Sequence, residues 1–159
     1  MHRHFPSNSF PDMSNSSEQQ TVVSTLNGLL ATAVNAREGY RTAAKDTTDD
    51  QLKTFFNKTA QERATMVADL EDLVRASGGD PDASGTTAGK AHRGWIDVRS
   101  TLGDADTSVI DECLRGEEHA ITDYEQALEE KSLASDARDT LSDQLEQIQA
   151  VVRELEAHR

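Results

Sequence analysis

The sequence predicts an all-α fold: two antiparallel helical hairpins joined by a long crossover, forming a four-helix bundle. Three observations lead there. Apolar residues recur at steps of three and four along most of the chain, and no stretch shows the period-two alternation of a strand. The turns within each half are short and polar, which forces consecutive helices antiparallel. Between the halves, residues 78–90 (GGDPDASGTTAGK) hold four of the nine glycines and read as a crossover loop.

Composition frames the elements. Only 30 of 159 residues are Leu, Ile, Val or Phe, and the net charge is −13, which borders on the disordered class. Nineteen alanines make up much of the apolar fraction, and alanine favours helix without adding bulk. A narrow helical core with a solvated acidic exterior reconciles these values. No apolar run approaches the roughly 18 residues of a membrane span. The single cysteine excludes an intramolecular disulfide and fits a reducing compartment. The negative balance argues against nucleic acid and anionic membranes as partners, because counterion release needs clustered Lys and Arg.

Residues 1–17 are rich in Ser, Asn and Pro and lack both period and the apolar core of a signal peptide. They read as a disordered tail on a cytoplasmic protein, with Met13 an alternative start and the bundle spanning 18–157. The first helix is expected from Ser17, where Ser17-Ser-Glu-Gln20 has capping-box spacing. Its stripe is Val22, Val23, Leu26, Leu30, Ala33, Arg37, Tyr40 and Ala44. Lys45–Asp50 is a polar turn. Leu52, Phe55, Phe56, Thr59, Arg63, Met66, Leu70 and Leu73 carry the second helix, which Gly78-Gly79 and Pro81 stop. After the crossover, Ala88, Ala91, Trp95, Val98 and Leu102 begin a third helix, with a break near 103–106. Ile110, Cys113, Glu117, Ile121, Tyr124 and Leu128 resume it. Glu130–Asp136 is the next turn, and Ala137, Leu141, Leu145, Ile148, Val152 and Leu155 form the last helix.

Three charges, Arg37, Arg63 and Glu117, fall on apolar stripes. A charge facing a bundle core needs a partner, since burial alone costs several kcal/mol (~). One-crossover bundles of the ferritin-like kind can hold a di-metal site, made from one Glu on each of two helices and Glu-x-x-His on the other two. Glu117 to Tyr124 resembles the E-x-x-A-x-x-x-Y stretch of rubrerythrin-type proteins, with Glu117 as the ligand. The first hairpin has the same frame around Tyr40, but Ala33 stands in the ligand position. In Phe56–Met66, Arg63 and Met66 replace the Glu and His of that family, and Ile148 and Val151 hold the equivalent pair in the last helix. One ligand position in six survives, so the standard di-iron site is absent.

The segments Asn35–Ala44, Gly78–Pro81, Gly89–Trp95 and Arg115–Glu117 resemble an uncharacterised bacterial family of ferritin-like four-helix-bundle proteins, distantly similar to rubrerythrin. The resemblance runs from about residue 22 to residue 155 and implies the fold, with no activity to carry over. In that frame Arg63 and Glu117 are expected to form a buried ion pair in place of the metal, with Tyr40 or Tyr124 donating to the carboxylate.

The alternative is a degenerate cation site built on Glu62 and Glu117, with His119, and iron as the cofactor. His119 is expected on the surface, because an offset of two residues turns it away from Glu117. His92, Arg93 and Trp95 form a candidate surface patch for an anion or protein partner; the competing reading makes Trp95 a plug at the end of the bundle. Cys113 reads as core filler. Asp69, Glu71, Asp72, Glu129 and Glu130 are expected on outward faces. A DNA-protecting role would need a basic tail, and this one offers Arg3 with His2 and His4. The expected protein is therefore non-enzymatic and cofactor-free, with a stress-related or scaffold role, acting through its surface, as a homodimer or on an unknown protein partner.

Overall fold

The computed structural model describes residues 13–84 and 105–159, with side chains from residue 17 in the first helix and from residue 106 after the crossover. Among these residues there are four helices and no strand: α1 (Met13–Asp46), α2 (Asp50–Ala76), α3 (Ala105–Leu128) and α4 (Ser135–Ala157).

The first helix starts at Met13, four residues before the start expected at Ser17. The end of the expected unstructured stretch 1–17 is therefore helical. Near this end of α1, Gln19 Nε2 donates to the Ser77 carbonyl at 2.9 Å. About two turns further the Asn27 amide grips the loop twice, donating to the Asp80 carbonyl and accepting from the Asp82 N–H. The N-terminal half of α1 thus serves as a platform for the chain leaving α2.

Both ends of α2 follow local chemistry. Asp49 caps its start by accepting from the Leu52 N–H at 3.0 Å. At the other end Gly78 takes φ +87°. Gly79 N–H then reaches the Val74 carbonyl and Gly78 N–H the Arg75 carbonyl, a Schellman closure. A Cβ on Gly79 would stand 2.5 Å from a Val23 methyl, so this loop lies against α1 only because the residue is glycine.

The hairpin turns are tied from outside. Arg138 donates to the carbonyls of Leu128 and Glu130, satisfying the end of α3 from the first turn of α4. Asp106 opens α3 and accepts from Thr47 Oγ1 at 2.7 Å and from Thr48 N–H and Oγ1. These bonds hold its carboxyl below the usual carboxylate range, the Thr47 hydroxyl first and the Thr48 N–H next. Removing the acceptor in Asp106→Ala should cost about 1 kcal/mol, the usual weight of a lost cap. A depressed carboxyl pKa contributes stability above the unfolded value that disappears as pH falls through the folded one. The difference between wild type and Asp106→Ala in thermal unfolding should therefore vanish on acidification; a gap unchanged by acid would contradict this account.

Three contacts set how the hairpins meet. Thr32 bonds Asp123, Tyr40 bonds Glu117 and Thr47 bonds Asp106, so α1 and α3 run antiparallel. Ser84 and Ala105 consequently lie at opposite ends of the bundle, as a single long crossover requires. The expected third-helix segment before Ala105, with Trp95, His92 and Arg93, lies outside the described residues. Within the expected break at 103–106, the helix is continuous from Ala105.

The core has two apolar parts. One gathers Leu26, Leu30, Leu70, Tyr124, Leu141 and Ile148; the other gathers Tyr40, Phe56, Ile110, Cys113 and Leu155. The last helix turns slightly from its expected stripe. Gln144 and Val151 are buried, whereas Leu145 and Val152, the expected stripe members, are half-buried. Steps of three and four both keep a residue near the seam, and packing against α3 selects between them.

Candidate functional site

Arg63 lies between Ala60 and Met66, and Glu117 between Cys113 and Ala120. In each helix one neighbour belongs to each apolar part, so both charges sit at the junction of the two. Arg63 is 1% and Glu117 0% exposed. Arg63 Nη1 donates to Glu117 Oε1 at 2.8 Å, and Nη2 to Oε2 at 2.5 Å, a bidentate pair. Tyr40 Oη donates to the same Oε2 at 2.7 Å. The guanidinium carbon also stands 5.5 Å from the Tyr40 ring centroid, within cation–π range. Three helices thus supply one closed cluster: Tyr40 from α1, Arg63 from α2 and Glu117 from α3.

The second tyrosine does something else. Tyr124 Oη donates to Gln144 Oε1 at 2.7 Å, so it serves α4 rather than the carboxylate. Gln144 was not singled out in the sequence, although a polar residue three after Leu141 and four before Ile148 was a readable signal. Arg37, on the expected apolar stripe, is half-buried and pairs with its neighbour Glu38 at 2.8 Å.

The electrostatics lock these protonation states. Burial pushes the Tyr40 phenol well above its ordinary range, and the Glu117 charge pushes it further. Burial would lower the Arg63 pKa, but Glu117 more than offsets that and the net shift is upward. Burial also raises Tyr124, and it raises Cys113, one turn before Glu117, with the Glu117 charge adding to the thiol's shift. Cys113 is therefore protonated core filler, the opposite of an activated nucleophile. The cluster offers a bidentate ion pair closed by the Tyr40 phenol, with that phenol and the neighbouring thiol held in their protonated forms.

The di-iron reading can be tested on the donor set. The positions aligned with ligands in rubrerythrin-type proteins, Ala33, Arg63, Met66, Glu117, Ile148 and Val151, are all buried. Five of the six carry no carboxylate or imidazole, and the sixth has both oxygens engaged by Arg63 and Tyr40. These residues do not fit a di-iron centre. Nor does the fallback pair converge, because Glu62 is exposed while Glu117 is fully buried. His119 and Glu118 are exposed as well. Among the described residues no group of three or more His, Cys, Asp or Glu side chains is placed to hold a metal.

Comparison with known proteins places this geometry. A family described as a domain of unknown function (DUF2383) matches residues 21–130. No curated protein matches the chain. Among solved structures, a ferritin-like diiron-carboxylate protein from Bacillus anthracis str. Ames aligns at TM-score 0.69 and 18% identity, covering 88% of this chain and 96% of that one. Dps from Thermosynechococcus elongatus aligns at TM-score 0.74 and 18% identity, covering 91% and 94%. Dps from Vibrio cholerae O1, described as a member of a broad superfamily of ferritin-like diiron-carboxylate proteins, aligns at 0.70 and 16%, covering 89% and 91%. At these identities the likeness shows a fold: a ferritin-like four-helix bundle.

Proposed function

Because the chain belongs to the DUF2383 family and folds as a ferritin-like bundle, we propose that it is a non-enzymatic scaffold in which a buried ion pair replaces di-iron chemistry. One observation carries the reading: both oxygens of Glu117, the remaining carboxylate at the ligand positions, are committed to Arg63 and Tyr40. A metal there would have to displace a bidentate guanidinium and meet its positive charge at close range. The cation that a metal would supply is provided by the protein itself.

With no reactive core, the outer surface is the working part. The outward face of α4 carries Asp136, Asp139, Asp143 and Glu146, all exposed at helical spacing. Such a face repels nucleic acid and anionic lipid and favours a protein partner or a second copy of the chain. Among the described residues no helix is long and apolar enough to cross a membrane. The reading places the protein in the cytoplasm, in keeping with its one buried thiol.

Elemental analysis before and after aerobic loading with ferrous iron tests the proposal. The expected result is no stoichiometric metal in either state. Two irons per chain, retained through desalting, would overturn it and establish iron handling instead.

A further inference from the structure

Two donors of the buried network have no hydrogen-bond partner among the described residues: Arg63 Nε and Gln144 Nε2. Arg63 is 1% and Gln144 2% exposed. Buried N–H groups are seldom left unpaired, so each calls for an acceptor.

The helix register brings the two residues into one layer. Tyr40 packs on Phe56, with ring centroids 6.0 Å apart. Two turns away in this antiparallel pair, Ala33 therefore stands opposite Arg63. Tyr40 bonds Glu117 in the antiparallel α1–α3 pair, which sets Ala33, two turns back along α1, level with Tyr124, two turns on along α3, and Tyr124 bonds Gln144. Ala33, Arg63, Tyr124 and Gln144 thus form one cross-section, to which Ala33 contributes only a methyl group. The Arg63 head leaves this layer to reach Glu117, two turns from Tyr124 along α3. Its Nε is the head nitrogen nearest the layer it leaves.

Both unpartnered atoms are donors, so the layer lacks an acceptor rather than another cation. An anion would fit that chemistry, but the Arg63 charge is already matched by Glu117, and an extra buried negative charge would be uncompensated. We infer that one water molecule is bound in this layer, accepting from Arg63 Nε–H and Gln144 Nε2–H. Tyr124 Oη donates its single proton to Gln144 Oε1 and keeps a lone pair for a proton of that water. Three polar partners are the usual complement of a buried water. The water joins the Arg63–Glu117–Tyr40 cluster to the Tyr124–Gln144 pair, making one network across all four described helices. The inference shares Arg63 with the scaffold reading, but its test does not depend on metal content.

A crystal structure of the full chain, with a parallel soak in bromide, tests it directly. Expected is one density peak within hydrogen-bond reach of both nitrogens and no anomalous bromide signal there. A bromide peak would make the ligand an anion and overturn the assignment. A Gln144 amide turned so that Oε1 accepts from Arg63 Nε, with no density between, would overturn it too. In solution, water-oxygen relaxation should count one fewer long-lived internal water in Gln144→Met than in wild type; an equal count contradicts the site. Iron found by elemental analysis would sink the scaffold reading alone.

Discussion

Glu117→Ala should destabilise the fold by about 3–5 kcal/mol in denaturant unfolding, the cost of breaking a buried pair from one side. The substitution leaves the Arg63 guanidinium 1% exposed without its counter-charge and removes the acceptor of Tyr40 Oη. Arginine cannot escape by losing its proton, so the whole penalty falls on the folded state. An exposed pair provides the contrast. Arg41 and Glu38 are each about half exposed, and Arg41→Ala should change stability by about 0–1 kcal/mol. The double substitution Arg63→Met with Glu117→Leu removes both charges while keeping similar bulk, and it should recover most of the loss or exceed wild type. Equal effects of Glu117→Ala and Arg41→Ala would show that the buried pair does not carry the energy assigned to it.

Alkali should unfold the protein steeply, and tyrosinate should appear only as the helices melt. Both tyrosines in the chain, Tyr40 and Tyr124, are buried with phenol pKa values raised by burial. The Cys113 thiol is raised for the same reason. In each case the folded state holds a proton that the unfolded state releases sooner, so the contribution is complete below the unfolded pKa and is lost as pH climbs toward the folded one. The thiol begins to withdraw stability above about pH 8.5, and the two phenols follow above about pH 10. Each group removes about 1.4 kcal/mol per pH unit in its window. Ultraviolet absorbance of tyrosinate and circular dichroism should therefore change together. Tyrosinate growing in near its ordinary pKa while the helices persist would mean that one phenol is open to solvent.

Angular information was legible in the sequence with little ambiguity. A charge three or four residues from Thr59 and Met66, and two turns from Phe56 and Leu70, is expected to face the core, and Arg63 does. The same holds for Glu117 between Cys113 and Tyr124. Arg37 met the same criterion and yet is half-buried against Glu38, because a long side chain at the edge of a stripe can bring its head out to water. The start of α1 was less legible: polar Ser and Asn before Ser17 looked like a tail, but the helix runs from Met13. The loop after α2 engages α1 further along, at Gln19 and Asn27, through tertiary contacts that no local propensity encodes.

Read alone, the chain specifies four amphipathic helices, the turns between them, and a core holding one carboxylate and one guanidinium where two metals would need more ligands. These follow from periodicity and residue chemistry, which report the side of a helix a residue occupies. Which tyrosine serves Glu117 was decided only by tertiary structure. So were the burial of Gln144 in place of Leu145 and the placing of Ala33, Arg63, Tyr124 and Gln144 in one layer. Those outcomes depend on how far each helix slides along its neighbour. That axial register is set jointly by the Asp106 contacts to Thr47 and Thr48 at one end, the packing of Gly79 on Val23 with the Gln19 and Asn27 bonds at the other, and the Arg138 tie between α3 and α4. Periodicity within one helix repeats every turn and so carries no information about that slide.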